Sequence, residues 1–469
     1  MHNRAKRRPS CQVQPYRQRL ARSCQFPISN LLPLAEVDAA VKAEGFSFRE
    51  RIFTPAITLW IFLGQVLDPD HSCRQALMRF AAWLSAHGCR PCSTDTGAYC
   101  QARQRLPEGV LQRLTRSRGR AAEEQSPRDW HWFGRCVRTA DGTTVSMPDT
   151  AANQKAYPQP RTQKPGLGFP IMRVVVIFSL SVGTVLEAAF NPYLGKETGE
   201  TGMLRTLLHS LQRGDVLLGD RYFANYWIIA LAKRLGIDVV FRQHQLRKVD
   251  FRRGRRLGMD DLLITWTKPQ RPRWMSPEIY ATVPTTLTVR EVRLRIPKGK
   301  NRTREIVVVS TLLDGGRYAK GELEALYRLR WQAELHLRSL KTTLQMDILR
   351  CKAPDMVRKE VWAHFLIYNL IRMTMVQAAQ SQPKRRPWQI SFKGALQALC
   401  AFGGFWPVGR LTDPDAYYTH MLCAIAEHRV GHRPDRVEPR AKKRRPKPLP
   451  LLTEPRVQAR ARLRSGQES

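Results

Sequence analysis

Apolar positions along this chain change period twice, and each change marks a change of architecture. From 31 to 130 they recur near every 3.6 residues, which predicts helices over 35–43, 52–67 and 72–84. A turn-rich stretch, 87–96, leads into a further helix at 97–105, with Ser93, Thr94 and Asp95 available as caps. That last helix carries Gln101, Arg103, Gln104 and Arg105 after a short turn. It fits either a helix-turn-helix that reads DNA through Arg103 and Arg105 or an ordinary helical hairpin.

From about 131 the period shortens to that of strands. Segments 172–180 and 184–190 are apolar and β-branched, and Ser181-Val-Gly183 between them predicts a hairpin. Short strands are expected at 136–140, 215–219 and 238–242, with helices at 204–211 and 225–235, the latter ended by Gly236. This alternation predicts an α/β layer. It is then interrupted by 242–315, with strand candidates at 262–266, 279–283, 286–295 and 305–312. A helix over 321–344 and an apolar helix over 360–377 resume the layer. The expected organisation is a basic disordered tail (1–30), a helical domain (31–130), a core in two parts (131–241 and 316–400), a β-rich insertion (242–315) and a C-terminal region (401–469). The Lys/Arg/Pro-rich run at 441–450 reads as flexible.

Charge adds a partner to this outline. The 469 residues hold 78 Lys and Arg against 39 Asp and Glu, a formal net charge of +39. The tails do not account for it: without 1–35 and 429–469 the remainder still stands near +23, and 242–304 alone has 17 basic residues against five acidic ones. A folded body that basic suits a polyanion, and nucleic acid is the expected partner. A membrane is not expected, because no apolar run reaches the roughly 18 residues a span requires. The N-terminus lacks the apolar stretch of a secretory signal. Ten scattered cysteines suggest a reducing cytoplasm, and Cys89-x2-Cys92 has no second pair to complete a zinc site.

The most informative stretch is 327–341, where Tyr327, Arg330, Glu334 and Lys341 lie at offsets of 3, 7 and 14 from the first. On one helix these offsets fall within an arc of roughly 60°. Leu326, Ala333, Leu337, Leu340 and Leu344 form the adjoining core-facing stripe. Upstream, the 136–140 strand runs into Asp141-Gly142, and the 215–219 strand into Asp220-Arg221. The His131 region reads as packing, and no Walker loop, dinucleotide fingerprint or nucleophile elbow occurs.

The four spaced residues match the Tyr-x2-Arg-x3-Glu-x6-Lys signature, and the chain over about 31–400 resembles bacterial insertion-sequence transposases of the DDE class. The resemblance implies an RNase H-like core with a β-rich insertion before its last catalytic helix. It also implies Asp141, Asp220 and Glu334 as catalytic and metal-holding carboxylates, taking two Mg²⁺ ions, with Mn²⁺ as a substitute. Tyr327, Arg330, Lys341 and Arg221 are then expected on DNA phosphates. Trp266 or Trp274 is expected to stack a flipped base. Expected partners are the element's terminal inverted repeats, target DNA and a second copy of the chain, in a bacterial cytoplasm at the nucleoid. The alternatives are an RNase H-like nuclease without strand transfer and a non-catalytic DNA-binding descendant. Possession of all three carboxylates argues against the last.

Overall fold

The computed structural model describes residues 29–49, 51–86, 88–297, 303–405, 413–431 and 451–465. The expectations for 1–28 and for 441–450 lie outside the described residues.

The helical part opens with α1 (Leu34–Ala43), α2 (Pro55–Leu67), α3 (Cys73–Ala86), α4 (Gly97–Arg105) and α5 (Glu108–Glu124). Thr54 starts α2 by accepting the Ile57 N–H at 3.4 Å, and Pro55 fills the first helical position, where a missing N–H costs nothing. Every residue of α2 but the last is buried, so it forms the centre of this layer. The 17-residue α5 was not anticipated as a separate element. Its buried stripe, Val110, Leu111, Leu114, Thr115 and Ala122, joins the helical part to the sheet.

Strand β1 (Val137–Ser146) runs ten residues, so the expected short strand continues past Asp141 rather than stopping before it. Short helix α6 (Ala151–Ala156) precedes the hairpin β2 (Ile171–Ser179) and β3 (Val185–Pro192). Its turn needs Gly183, whose φ is +74° and whose absent Cβ would stand 2.3 Å from the Arg372 guanidinium. Then come α7 (Glu200–Leu207), β4 (Val216–Gly219), α8 (Tyr226–Arg234) and β5 (Asp238–Arg242).

The 242–315 segment contains β6 (Arg255–Gly258), β7 (Asp261–Thr267), α9 (Pro277–Thr282), β8 (Thr286–Pro297) and β9 (Thr303–Ser310). Two details differ from expectation. Strand β6 was not foreseen, and the strand expected at 279–283 is a helix. Ser276 caps that helix through the Ile279 N–H and Pro277 opens it, a local signal that outweighs the β-branched residues following it. All nine strands form one sheet, in the order β3-β2-β1-β4-β5-β9-β8-β7-β6. The insertion's strands therefore extend the core sheet, through antiparallel β5–β9 pairing at Val240–Ser310 and Phe241–Val309.

Beyond the sheet lie α10 (Lys320–Arg328), α11 (Trp331–Arg338), α12 (Pro354–Gln380), α13 (Phe392–Phe405), α14 (Pro414–Glu427) and α15 (Arg456–Arg464). The single helix expected over 321–344 is broken. The N–H groups of Leu329, Arg330, Gln332 and Ala333 bond three residues back instead of four, and Ser339–Thr343 then widens into a π turn. Tightening followed by widening lets Leu326, Ala333, Leu337, Leu340 and Leu344 all stay buried despite the break.

Polar contacts lock the layers in register. Asn369, fully buried on α12, accepts the Val185 N–H at 2.7 Å and donates to the carbonyls of Thr115 and Val185. It thus ties α12 to α5 and β3. Arg138 on β1 joins Glu123 of α5 to Asp215, 3.0 Å away, which precedes β4. Among the described residues no helix is long and apolar enough to cross a membrane.

Candidate active site

The site arises from a gap in the sheet. Parallel β4 pairs with β1 only from Val137–Val216 to Thr139–Leu218, because β4 ends at Gly219. Beyond Thr139, β1 stays paired with β2 through Ser146, while its other side meets only the bridge from Ser146 to Ile348 at the strand's end. This leaves a notch at the carboxyl end of β4, the kind of crevice in which open α/β sheets bind ligands. Asp141 lies on β1 where the notch begins, and Asp220 follows the last residue of β4. The register sets Asp141 opposite Val176, on the sheet face covered by α11 and α12, and α11 supplies Glu334.

Electrostatics link these groups in part: Glu334 bears on Asp141, and Asp220 on Arg330. Burial pushes the Asp141 carboxyl up to about 6; Glu334 and Glu200 add to the rise, whereas the Gly142 N–H, at 2.9 Å, and Arg330 oppose it. Arg330 bonds Glu334 Oε1 at 2.6 Å. Burial works against its charge, but Tyr327, Glu334 and Asp220 together hold its pKa above the usual value. Tyr327 is buried, and burial pushes its phenol up to about 12 with Asp220 adding to the effect. Tyr327 and Arg330 therefore lie beside Asp220 as well as beside the helix that carries them. Lys341, half-buried, is carried on the π turn. Arg221 donates to Gln245 Oε1 at 2.7 Å at the exposed end of the notch.

The donor set suits a hard divalent cation: three carboxylates, with Glu334 adding to the rise at Asp141. Among the described residues no three His, Cys, Asp or Glu side chains converge closely enough to hold an ion as they stand. Arg330 holds Glu334 in its present position, and that pair is part-exposed, so releasing the carboxylate toward a cation is cheap.

Three residues expected on DNA lie away from the notch. Trp266 is buried; its indole N–H donates to Glu291 Oε1 at 3.1 Å and Arg247 covers the ring at 3.8 Å. A buried indole needs such an acceptor, and Glu291 keeps it in the sheet's core rather than facing the carboxylates. Trp274 is half-buried, with Arg205 over its ring at 3.7 Å and Trp227 edge-on at 6.4 Å. Arg103 is buried as well, donating to Gln65 Oε1 at 3.0 Å and lying 5.0 Å from the rings of Phe62 and Tyr99. It packs inside the helical part and does not present itself to a groove. Arg105, by contrast, is exposed, and lines a cavity of about 300 Å³ with Arg49 and Arg51. Arg103→Ala is therefore expected to destabilise the protein by about 2 kcal/mol, since it strands the partners of a buried guanidinium, without altering DNA sequence preference. Urea midpoints and duplex titrations on the same variant check both halves.

One group at the notch escaped the sequence reading. Glu200, in the first turn of α7, reaches Gly142 from the opposite sheet face. In sequence it reads only as an acid at a helix N-terminus, a common dipole complement. The Gly directly after Asp141 was the sole hint of a close approach.

Asp141 on β1, Asp220 just after β4 and Glu334 on α11 thus stand at the open edge of a mixed sheet, on a strongly basic chain. The chain belongs to the Transposase DDE domain family, which matches residues 132–370. It is 26% identical over 414 residues to the transposase InsG for insertion sequence element IS4 of Escherichia coli (strain K12), covering 85% of this chain and 87% of that one. Over 65 residues it is 37% identical to the putative transposase InsL for insertion sequence element IS186A of the same strain, 14% of this chain and 18% of that one. Among solved structures it is similar to the piggyBac transposase of a synaptic complex with hairpin DNA, at TM-score 0.44 and 10% identity, covering 90% of this chain and 89% of that one.

Proposed function

We propose that this transposase moves an insertion sequence, cutting DNA at the element's terminal inverted repeats and joining the freed ends to target DNA. The observation that carries the proposal is the notch itself, with Asp141 on β1 where it begins, Asp220 just after β4, and Glu334 on the helix beside Asp141. The β3-β2-β1-β4-β5 order, with β1, β4 and β5 parallel, supports an RNase H-like core around them.

Asp141, Asp220 and Glu334 would hold two Mg²⁺ ions, which supply charge stabilisation to the attacking and leaving oxygens of an in-line displacement. The chain's own residues do the rest. Arg330, released from Glu334, offers a planar fork to a phosphate, and Lys341 and Arg221 add point and fork charges along the strand. Tyr327 stays a neutral phenol at any working pH, because its pKa is about 12, and so can donate a hydrogen bond beside Asp220. In the helical part the exposed Arg105, with Arg49 and Arg51 beside it, would contact duplex DNA. Trp274, under Arg205 at the sheet's far face, remains the tryptophan for a flipped base if that helix-lined corner opens. Two ends must be cut and joined together, so the working form is a homodimer on DNA, at the bacterial nucleoid.

The test is a terminal-repeat duplex and a supercoiled target incubated with the full chain. Joined products are expected in Mg²⁺ or Mn²⁺ and none in a chelator. Native mass measurement should find two chains with two duplexes. Nicking without joining would favour a nuclease, and joining by a one-chain, one-duplex complex would overturn the dimer.

A further inference from the structure

A pair of thiols in the helical part carries chemistry that phosphodiester cleavage does not use. Cys73 opens α3 and Cys100 lies on α4, 27 positions further on, and their sulfurs are 3.8 Å apart. Arg103 binds both: its Nη2 donates to Cys73 Sγ at 3.2 Å and to Cys100 Sγ at 3.9 Å. Gln65 Nε2 adds a third donor, 3.6 Å from Cys73 Sγ. A guanidinium shared by two sulfurs favours their thiolate forms. Burial pushes the Cys73 thiol up, and Arg103 opposes that rise. Both cysteines are half-buried and line a cavity of about 650 Å³ with Arg103, Arg350 and Cys351, so a small molecule can reach them.

Packing alone accounts for a single buried thiol, since free cysteine behaves as a small hydrophobe. It does not account for two thiols in contact around one buried guanidinium beside a cavity. We propose that Cys73 and Cys100 are a redox-sensitive dithiol that a peroxide closes to a disulfide, drawing α4 toward α3 and weakening the chain's hold on duplex DNA. One thiolate attacks a peroxide oxygen, the O–O bond breaks, and the departing hydroxide takes up the thiol's proton as water, leaving a sulfenic acid. The second thiolate attacks that sulfur, the S–O bond breaks, and a second water leaves. Two thiols are thereby oxidised by two electrons and one peroxide is reduced to two waters. The bond requires sulfurs about 2 Å apart, so Cys100 must move closer to Cys73. Helix α4 can follow, because a cavity lies on each side of it. Cys100 and Arg103 line the larger one, and Gln101, Ala102 and Arg105 the one shared with Arg49 and Arg51. Arg105 then shifts relative to those two arginines, and phosphate contacts that depend on their spacing weaken. This last step rests on the reading of Arg105 as a duplex contact.

The experiment takes the full chain, reduced and freed of reductant, and treats it with hydrogen peroxide at about pH 8, where more thiolate is present. Remaining thiols are capped with N-ethylmaleimide, peptides are mapped without reduction, and duplex affinity is measured before and after. A linked Cys73–Cys100 peptide is expected, with affinity lower by about threefold or more and restored by dithiothreitol. Cys73→Ser and Cys100→Ser should each bind duplex like the reduced wild type and ignore peroxide. Absence of the linked peptide, or a peroxide response that persists in either variant, overturns the proposal. Should a serine variant misfold, Cys73→Ala and Cys100→Ala replace it under the same criteria. Arg105→Ala, measured in the reduced chain, separates the two readings. A linked chain that binds duplex at full strength refutes the switch alone if Arg105→Ala binds weakly. It refutes the switch and the Arg105 reading together if Arg105→Ala binds normally.

Discussion

Asp141→Asn, Asp220→Asn and Glu334→Gln will each reduce metal-dependent cleavage of a terminal-repeat duplex by at least about a thousandfold, equivalent to roughly 4 kcal/mol of transition-state stabilisation. Each substitution is nearly isosteric and removes one anionic donor from the proposed site at the open sheet edge. DNA binding should persist. Affinity comes from neutralising phosphates, and a chain with 78 Lys and Arg loses none of them in these variants. Removing a negative charge from the notch should, if anything, tighten binding there. Glu334→Gln has a further consequence, because it frees Arg330 from its 2.6 Å partner without moving the guanidinium's other neighbours. Gel shifts across a salt series, run beside single-turnover cleavage, separate the two effects. Normal cleavage by any one of the three variants would remove that residue from the site.

Arg138→Met is expected to lower stability by about 3–5 kcal/mol. Arg138 is buried on β1 and bonds Glu123 and Asp215, which are themselves only 8% and 4% exposed. Losing the guanidinium leaves two carboxylates facing one another away from water. Neither can ionise cheaply, and each would lose its charge-assisted bond. The damage reaches the site as well, since Arg138 joins α5 and the turn before β4 to the strand that carries Asp141 three residues later. Urea unfolding followed by circular dichroism gives the midpoint shift. Arg328→Ala, which removes a more exposed helical pair with Glu324, should leave the midpoint near wild type. Equal midpoints for the two variants would mean that the Arg138 cluster is solvated.

The spacing Tyr327, Arg330, Glu334, Lys341 and the positions of Asp141 and Asp220 after apolar runs were legible from the chain alone, as were the strands β2 to β5 and the helices α1 to α4. These are local facts. Periodicity of 3.6 or 2 and the placement of Ser, Pro and Gly report which backbone conformation a segment can adopt while burying one face. The break at Leu329–Ala333 was not legible, because a helix that keeps its apolar stripe through a tightened and then a widened turn looks, in sequence, like one unbroken helix.

What the sequence by itself determined is therefore the kind of elements and the chemistry they carry. Tertiary structure alone decided where each charged or aromatic side chain faces. Arg103 and Arg105 are two positions apart on one helix, yet one is buried on Gln65 and the other is exposed. Trp266 is held inside by Glu291, 25 positions away, and Glu200 reaches Gly142 across 58 positions of chain. Such pairings depend on which distant segments the sheet brings side by side. A residue's own neighbours in sequence carry no information about that, because burial and charge pairing are energies of contacts between segments and not of any segment alone.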